Sequence, residues 1–421
     1  MTLQQQKNQR IKASYLATLE KRKSQCPLTF VFKVRNEKRN KKAKIFDFLD
    51  GCMLNGKWIW NSLVAQTDSK IMGEDKVRKA SSFSQKDFKT VVHKDFEGND
   101  IEDSIDFLSA AQRDSVIDSF KHSLSALKAL KKKGMKVGRI KFKSEFTSLT
   151  LKQYGITHKI CGPNSYQIQG CKSELRVAGM RQLRQLEKAG IEYELATAKI
   201  VCAGGDYYIH QTVYVDKATW FAYKNRKNSK SKYEINALDL GCQKTATDAY
   251  GKTYNTQVEE PERLKKLQRK KARQMKAAGW NPKKKKKVKC SNNQWKVKKA
   301  IKREYQKLTN KKETEAIKLT REVLFETEVL IIQDENLTGW HKTGHGKKVQ
   351  HGILGRVKER LMRSEKTHVI NRWVPTTKLC THCGQIMSEL TQRDRHIVCP
   401  HCGHDDGERD RHSAQTMIWL Y

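Results

Sequence analysis

The sequence contains no apolar run long enough to cross a membrane, and it has few acidic residues for its size. It also shows no basic amphipathic anchor and no terminal lipidation signal, and its polar beginning, MTLQQQKNQRIK, is unlike a signal peptide. These absences argue against a membrane-bound or exported protein. The 421 residues include 45 Asp and Glu against 85 Lys and Arg, a formal net charge of +40. That charge exceeds what solubility requires, and a polyanion must neutralise it, so nucleic acid is the expected partner.

A disulfide framework is also missing. Seven of the eleven cysteines show no regular spacing: Cys26, Cys52, Cys161, Cys171, Cys202, Cys242 and Cys290. Scattered cysteines of this kind predict a protein that works in a reducing compartment, and so do the four predicted zinc-binding cysteines described next.

The other four cysteines form two Cys-x-x-Cys pairs near the end of the chain. Cys380 and Cys383 make the first pair and Cys399 and Cys402 the second, with fifteen residues between the pairs. A glycine follows each pair, where a tight knuckle turn needs positive φ. This spacing is typical of a zinc ribbon, in which four thiolates surround one structural Zn²⁺. Four unrelated reduced cysteines are the alternative.

The length predicts two to four domains. Apolar residues alternate in Leu28–Val34, which predicts a strand, whereas residues from about 40 to 135 follow a helical period. The clearest helix runs from about 108 to 133.

Strand patterns return between residues 137 and 216, beginning with VGRIKFK at 137–143. Gly204-Gly205-Asp206 separates two alternating runs and predicts a hairpin turn. A strand, a helical insertion and further strands favour a small β-barrel interrupted by a helical lobe. The charged segment 217–232 has few apolar residues and is the predicted domain boundary.

Residues 261–312 are exceptionally basic, with 22 Lys and Arg against two Glu. Helical patterns lie on both sides of a break at 279–282. A solvated charged face is one explanation, but this density favours contact with phosphates. The lysines predicted to bind nucleic acid are Lys283, Lys284, Lys285, Lys286, Lys287, Lys289, Lys296, Lys298 and Lys299.

Three acidic residues lie where strands or helices are predicted to begin or end. Asp239 lies on a first strand (INALDLG), although a D-x-G turn is also explained by simple capping. Glu335 follows the buried strand pattern EVLIIQ, where a carboxylate is costly unless it is paired or holds a metal. Asp410 opens a helix pattern just after the cysteine pairs. Three converging carboxylates can hold two divalent cations about 4 Å apart.

The loop at 338–355 is rich in Gly and His and suits a mobile lid or phosphate contact. His341, His345 and His351 fit no common zinc spacing.

The order of these motifs resembles the RuvC-like nuclease half of transposon-encoded TnpB proteins and of the compact type V CRISPR effectors. The resemblance covers 236–421 with specific motifs and 137–216 more weakly. Its pieces are ALDLG (237–241), ENLTG (335–339), TTKLCTHCG (376–384), CPHCG (399–403) and RDRHSA (409–414).

The resemblance implies an α+β multidomain protein. A wedge-type β-barrel (1–39 and 137–232) would carry an inserted helical recognition lobe (40–136). An RNase H-like (RuvC) α/β nuclease domain (233–375 and 409–421) would follow, with an inserted zinc ribbon (376–408) that binds target nucleic acid.

The resemblance further implies an RNA-guided DNA endonuclease that works by two-metal-ion phosphodiester hydrolysis. Asp239, Glu335 and Asp410 would be its catalytic triad and the ligands of two Mg²⁺ ions. Its partners would be a guide RNA and target double-stranded DNA, with a monomer or homodimer on one guide RNA, in the prokaryotic cytosol or nucleoid. The guide remains open between a transposon-end RNA and a CRISPR RNA.

The sequence departs from the family pattern in three places. Ala237-Leu238 stands where Ile more commonly precedes Asp-Leu-Gly, Asp334 adjoins Glu335, and His412-Ser413 replaces the usual Asn-Ala. Two other functions stay open: a DNA-binding protein that does not cut, such as a repressor, and a DDE-type transposase or resolvase that transfers strands without a guide.

Overall fold

The computed structural model divides the chain into two units, residues 1–226 and residues 227–421. It describes residues 3–35, 45–72, 77–95, 97–225, 231–281, 290–342, 346–391 and 393–421. Within these ranges, no helix combines the length and apolar character that a membrane crossing needs.

The first unit is built on a seven-stranded sheet of antiparallel pairs in the order β4-β8-β9-β1-β7-β6-β5. Its strands are β1 (Gln25–Val34), β4 (Ser148–Leu151), β5 (His158–Gly162), β6 (Ser165–Ile168), β7 (Leu175–Ala178), β8 (Tyr193–Ala203) and β9 (Asp206–Asp216). Edge strand β5 approaches β8, one strand from the opposite edge, where Nε2 of His158 lies 3.1 Å from the carbonyl oxygen of Ala196. The sheet is therefore nearly closed.

The predicted hairpin at 204–206 is confirmed, because β8 and β9 are joined by Gly204 and Gly205. Their φ angles of 63° and 82° belong to the left-handed region that glycine adopts without strain. The predicted first strand is confirmed as part of β1.

The helices of the first unit are α1 (Leu3–Lys23), α2 (Ile45–Gln66), α3 (Ser69–Met72), α4 (Ala110–Lys132), α5 (Arg181–Lys188) and α6 (Lys217–Asn225). α4 confirms the predicted helix, and Ser109 caps it in a capping box with Gln112. The region from 40 to 135 is not wholly helical, however. β2 (Thr90–Lys94) and β3 (Asp100–Ser104) pair there as a hairpin, and 3₁₀ turns lie at Ala80–Ser82 and Gln85–Phe88.

The predicted strand at 137–143 is wrong. This segment pairs with side chains of α2 instead of with a strand: Trp60 Nε1 donates to the Lys141 carbonyl at 3.2 Å, and Asn61 Nδ2 donates to the Lys143 carbonyl at 3.0 Å. The amide of Lys143 donates back to Asn61 Oδ1 at 2.8 Å. A pattern of alternating apolar residues does not tell whether the backbone will bond to a neighbouring strand or to the side chains of a helix.

The second unit is built on a five-stranded sheet in the order β12-β11-β10-β13-β14. The strands are β10 (Tyr233–Asp239), β11 (Ala246–Asp248), β12 (Thr253–Tyr254), β13 (Thr327–Gln333) and β14 (Thr367–Ile370). β10, β13 and β14 are parallel, whereas β11 and β12 continue the sheet antiparallel.

Helices cover both faces of this sheet. They are α7 (Glu262–Ala277), α8 (Asn292–Glu326), α9 (Leu337–Lys342), α10 (Gly346–His351), α11 (Leu354–Leu361) and α12 (Arg409–Trp419). Leu238 and Ile332 pack in one core cluster with apolar residues of α8 and α11, while Ala237 and Ile331 pack with Ala414 of α12. Successive residues of each strand therefore face different helices.

The strand predicted for 368–374 ends early, at Ile370. Asn371 begins a turn in which the amide of Val374 donates to the Asn371 carbonyl at 3.1 Å. Asn favours turns because its side chain can bond nearby backbone, and here Asn371 Oδ1 accepts from the amide of Trp373 at 3.0 Å.

Candidate active site and zinc-binding site

The ends of two parallel strands bring two of the predicted carboxylates to one edge of the sheet. Asp239 is the last residue of β10, and Glu335 follows the end of β13 by two residues. Leu238 lies opposite Ile332, so the two strands end at the same level. Open parallel sheets bind ligands outside the carboxyl ends of their strands, which is where both carboxylates lie.

Helix α12 brings the third carboxylate to the same region. Asp239 shares a face of β10 with Ala237, because side chains alternate along a strand. Ala237 packs with Ala414 and Met417 of α12. The first turn of that helix carries Asp410, whose negative charge the helix dipole favours there.

A chain of polar contacts joins this helix to both strands. Ser413 Oγ donates to Asp239 Oδ1 at 3.3 Å, and it lies 3.0 Å from Thr376 Oγ1. Thr376 Oγ1 in turn donates to Gln333 Oε1 at 3.2 Å. Ser413 and Thr376 are buried, so these hydroxyl groups hold the end of β10, the end of β13 and α12 together away from water.

The electrostatics of Asp239 reflect this crowding. Burial, then the charge of Asp410 and then that of Glu335 raise the pKa of Asp239 to about 7, although Ser413 and Arg409 act in the opposite direction. The carboxyl group is enclosed by protein but keeps a partly exposed surface. A neighbouring cation would therefore stabilise its ionised form.

Asp334 and Glu335 are adjacent but differ in their surroundings. Asp334 is ion-paired with Lys358 at 2.6 Å and with Arg372, and hydrogen bonds from these two cations lower the pKa of Asp334. Burial raises the pKa of Glu335, as does the charge of Asp334. The ion pairs with Lys358 and Arg372 therefore account for Asp334. Glu335 instead has the raised pKa that is typical of a functional carboxyl group.

Asp410 has two arginines close to one carboxylate oxygen. Arg409 Nη2 lies 3.1 Å from Asp410 Oδ1 and Arg395 Nη1 lies 3.9 Å from it. Its side chain is only 14% exposed.

The residues present fit a divalent cation at this edge. Carboxylate oxygens are the ligands that Mg²⁺ prefers, and Mg²⁺ usually keeps several waters and takes only one or two carboxylates directly. Thr247 lies directly across the β10–β11 pair from Asp239, and its buried Oγ1 has no hydrogen-bond partner within the described ranges. A hydroxyl there can bond to water around a cation. The oxygens of the three carboxylates do not all lie within 4.8 Å of one another, so the structure does not bring them into one close ligand set as it does the four cysteines.

The four predicted cysteines come together and can hold a structural zinc ion. Cys380 Sγ lies 3.8 Å from Cys402 Sγ, and Cys383 Sγ lies 3.7 Å from Cys399 Sγ. All four sulfurs lie within 4.8 Å of one another. Tetrahedral zinc with bonds of about 2.3 Å places neighbouring sulfurs about 3.8 Å apart, so the geometry fits.

The two knuckles have the same backbone design. The amide of Gly384 donates to the Cys380 carbonyl at 3.0 Å, and the amide of Gly403 donates to the Cys399 carbonyl at 2.9 Å. Both glycines have a φ of 71°. Each knuckle thus needs its glycine, as the sequence predicts.

The cysteine cluster connects directly to helix α12. The two short strands β15 (His396–Val398) and β16 (Asp405–Glu408) pair beside it, and α12 begins at the residue after β16. Nδ1 of the fully buried His412 lies 3.4 Å from Asp406 Oδ2, while Thr381 Oγ1 donates to Asp406 Oδ1 at 3.2 Å. The ribbon and the helix that carries Asp410 therefore share contacts.

The basic stretch forms helix α7 and the first half of α8. Lys296 and Lys299 are exposed on α8, but Nζ of Lys298 lies 2.7 Å from Cys290 Sγ and over the ring of Trp295. Lys283, Lys284, Lys285, Lys286, Lys287 and Lys289 lie outside the described residues. Phosphate contact by these lysines stays a prediction.

Several residues of the candidate site are not predicted from the sequence. In the sequence, Thr376 is visible only as the first residue of TTKLCTHCG, and Ser413 only as a departure from the TnpB-like pattern that the sequence resembles. Gln333 and Thr247 carry no signal of their own. His351 lies in α10, and the side chains of His341 and His345 are outside the described set.

Comparison with known proteins gives distant structural matches. No family model and no curated protein matches the chain. One similar solved structure is the "Cryo-EM structure of CasPhi-2 (Cas12j) bound to crRNA and Phosphorothioate-DNA", at 10% identity and a TM-score of 0.45, covering 94% of this chain and 91% of that chain. Another is the "Cryo-EM structure of CasPhi-2 (Cas12j) bound to crRNA", at 11% identity and a TM-score of 0.40, covering 94% and 98%. Similarity at this level carries no information about what this chain does.

Proposed function

We propose that this chain is an RNA-guided DNA endonuclease that hydrolyses phosphodiester bonds at Asp239, Glu335 and Asp410. The observation that carries the proposal is the grouping of these residues. Asp239 ends one strand, Glu335 follows the end of the adjacent parallel strand, and α12, which packs on Ala237 of the same strand face, carries Asp410. Such a costly concentration of negative charge is typical of a site that holds cations.

Each of these residues has a distinct support. Ser413 orients the Asp239 carboxylate through Oδ1. Lys358 donates to the main-chain carbonyl of Glu335 at 2.6 Å and so fixes the backbone from which that side chain extends. Arg409 and Arg395 are the cations near Asp410. When bound, two Mg²⁺ ions would activate a water molecule and stabilise the leaving oxygen of the phosphodiester.

The guide and the target are inferred from charge and motif order. A net charge of +40 suits a protein that grips long stretches of phosphate backbone. Base pairing by a bound RNA would supply sequence recognition that a chain of this size does not itself provide. The zinc ribbon would be structural and would stabilise the segment that leads into α12.

The experiment has two steps. RNA that copurifies with the protein is sequenced, and matched duplex DNA is then incubated with the complex and Mg²⁺. Cleavage is expected for the wild type and is expected to be abolished in Asp239→Ala, Glu335→Ala and Asp410→Ala, with target binding nearly intact. The double variants should be little worse than the single ones, because the three residues act as a unit.

Asp334→Asn is the matched control, since Asp334 is occupied with Lys358 and Arg372. It should retain substantial cleavage. If Asp334→Asn is inactive while Glu335→Ala still cuts, the assignment is wrong by one residue. Binding of a matched target without any cleavage by the wild type would favour a repressor-like protein, and strand-transfer products without RNA would favour a transposase.

A further inference from the structure

Trp373 is the most exposed large apolar side chain among the residues that the structure describes. The residue is 84% exposed. Burial of an aromatic ring is strongly favourable, so a tryptophan left in water forgoes a large stabilisation. An exposed ring that is also rigidly held is typical of a binding residue.

The turn that carries Trp373 is held at both ends. Asn371 Oδ1 accepts from the amide of Trp373 at 3.0 Å, and the amide of Val374 closes the turn onto the Asn371 carbonyl. Gln333 Nε2 donates to the carbonyl of Asn371 at 3.2 Å and to that of Val374 at 2.8 Å. The backbone on each side of Trp373 is therefore fixed, which lowers the entropy lost when the ring binds a ligand.

The same contacts place this turn beside the candidate active site. Gln333 is the last residue of β13 and lies two residues before Glu335. The amide of Asp334 donates to the carbonyl of Ile370 at 3.0 Å, and Arg372 is ion-paired with Asp334. Trp373 thus follows a strand that ends next to the segment Asp334-Glu335.

The chemistry of the neighbourhood selects the ligand. The two residues before the ring, Asn371 and Arg372, are exposed and polar or cationic, and Val374 after it is half-buried. A ring beside an exposed cation suits a ligand that offers both a flat apolar face and a negative charge. A nucleotide offers the flat face of its base to the indole and its backbone phosphate to Arg372. Neighbouring bases cover both faces of a base inside a duplex, so an unpaired base is the ligand that leaves a face free along a strand.

We propose that Trp373 stacks on an unpaired base of a nucleic-acid strand that lies next to the carboxylates. The identity of the ligand as nucleic acid rests on the proposed function. The test therefore includes a measurement that needs no cleavage.

The direct measurement is ¹⁹F NMR of the full chain labelled with 5-fluorotryptophan and washed free of nucleic acid in high salt. The resonance of Trp373 is the one missing from Trp373→Phe. Addition of the tetranucleotide dT₄ should move this resonance, and a tetramer with four abasic sites should not. No movement with dT₄, or equal movement with the abasic tetramer, would overturn the proposal, because phosphates alone would then account for the effect.

The functional measurement compares Trp373→Ala with Trp373→Phe. Alanine should weaken binding of dT₄ about 5- to 150-fold, the range found for loss of one base–aromatic stack, while phenylalanine should stay within a few fold of the wild type. Because the side chain is exposed, both variants should unfold at the temperature of the wild type. Equal binding by all three proteins would refute the proposal. A protein that stacks dT₄ but never cuts DNA would retain this inference and lose the nuclease assignment.

Discussion

Ser413 donates a hydrogen bond to Asp239 across 174 positions of sequence, at an Oγ–Oδ1 distance of 3.3 Å. The same hydroxyl lies 3.0 Å from Oγ1 of Thr376, the first residue of the predicted zinc ribbon. One small side chain thus connects the first candidate catalytic residue with the start of the ribbon. An alanine at this position would make neither contact.

Loss of this hydroxyl should change the titration of Asp239. The bond from Ser413 stabilises the ionised carboxylate and acts against the rise in its pKa. Ser413→Ala should therefore raise the pKa of Asp239 further and move the pH dependence of cleavage to higher pH, with the largest loss of rate below neutral pH. The measurement is the pH–rate profile under single-turnover conditions.

A matched control lies one turn along the same helix. Thr416 is also buried, and its Oγ1 donates to the carbonyl of His412 at 2.9 Å, within α12 itself. Thr416→Ala should lower stability without moving the pH profile. If both variants shift the profile equally, the effect is a general loosening of α12 and not the bond to Asp239.

The raised pKa of Asp239 also predicts how stability depends on pH. The pKa is about 7 in the folded chain against an ordinary 3.8. A carboxyl group whose pKa is raised by folding holds its proton more tightly when folded, so its contribution to stability is complete below about pH 4 and is lost as the pH rises through about 7. The loss amounts to at most about 4 kcal/mol.

Urea unfolding without added Mg²⁺ tests this sign. Relative to Asp239→Asn, which cannot titrate, the wild type should lose stability between pH 4 and 8. Addition of Mg²⁺ at pH 8 should then stabilise the wild type more than the variant, because the ion binds the folded, ionised site. Equal pH dependence of the two proteins would show that Asp239 titrates normally.

The sequence predicts the parts of the site that depend on local pattern. Two spaced Cys-x-x-Cys pairs specify four thiolates around one point, and the knuckle glycines follow from backbone sterics. Asp239, Glu335 and Asp410 are each identified by their position beside a strand or helix pattern. Their proximity cannot be predicted from the sequence, because it depends on the parallel register of β10 and β13 and on the packing of Ala414 and Met417 against Ala237.

What the sequence misses has a common cause. The segments 137–143 and 371–374 both have strand-like patterns. In the first, side chains of α2 bond to the backbone carbonyls. In the second, the side chain of Gln333 bonds to the carbonyls of Asn371 and Val374 and holds the chain in a turn. Hydrophobic periodicity records which side chains are covered and says nothing about which group bonds to the backbone. Ser413 and Thr376 are small polar residues that carry meaning only once their partners are known.

The lysines of α8 should contribute to the salt dependence of binding. Lys296 and Lys299 are exposed, whereas Lys298 is occupied with Cys290 and Trp295. Lys296→Glu and Lys299→Glu should each weaken binding to all nucleic-acid sequences alike, and each lost phosphate contact should reduce the slope of log K against log salt by about one. Lys318→Glu is the control, because Lys318 lies on the same helix but pairs with Glu315 at 3.1 Å. A slope that changes equally in all three variants would indicate a net-charge effect only.

Loss of zinc should abolish cleavage as well as disorder the ribbon. A structural zinc contributes its binding energy to folding, so Cys383→Ser or Cys402→Ser should lose the metal and expose residues 376–408 to proteases. Because β16 runs directly into α12 and Asp406 lies beside His412, the same change should also displace the helix that carries Asp410. Elemental analysis, limited proteolysis and cleavage are measured on one preparation, with Cys161→Ser, an exposed cysteine of the first unit, as control. Full activity in a zinc-free protein would show that the ribbon neither needs the metal nor supports the site.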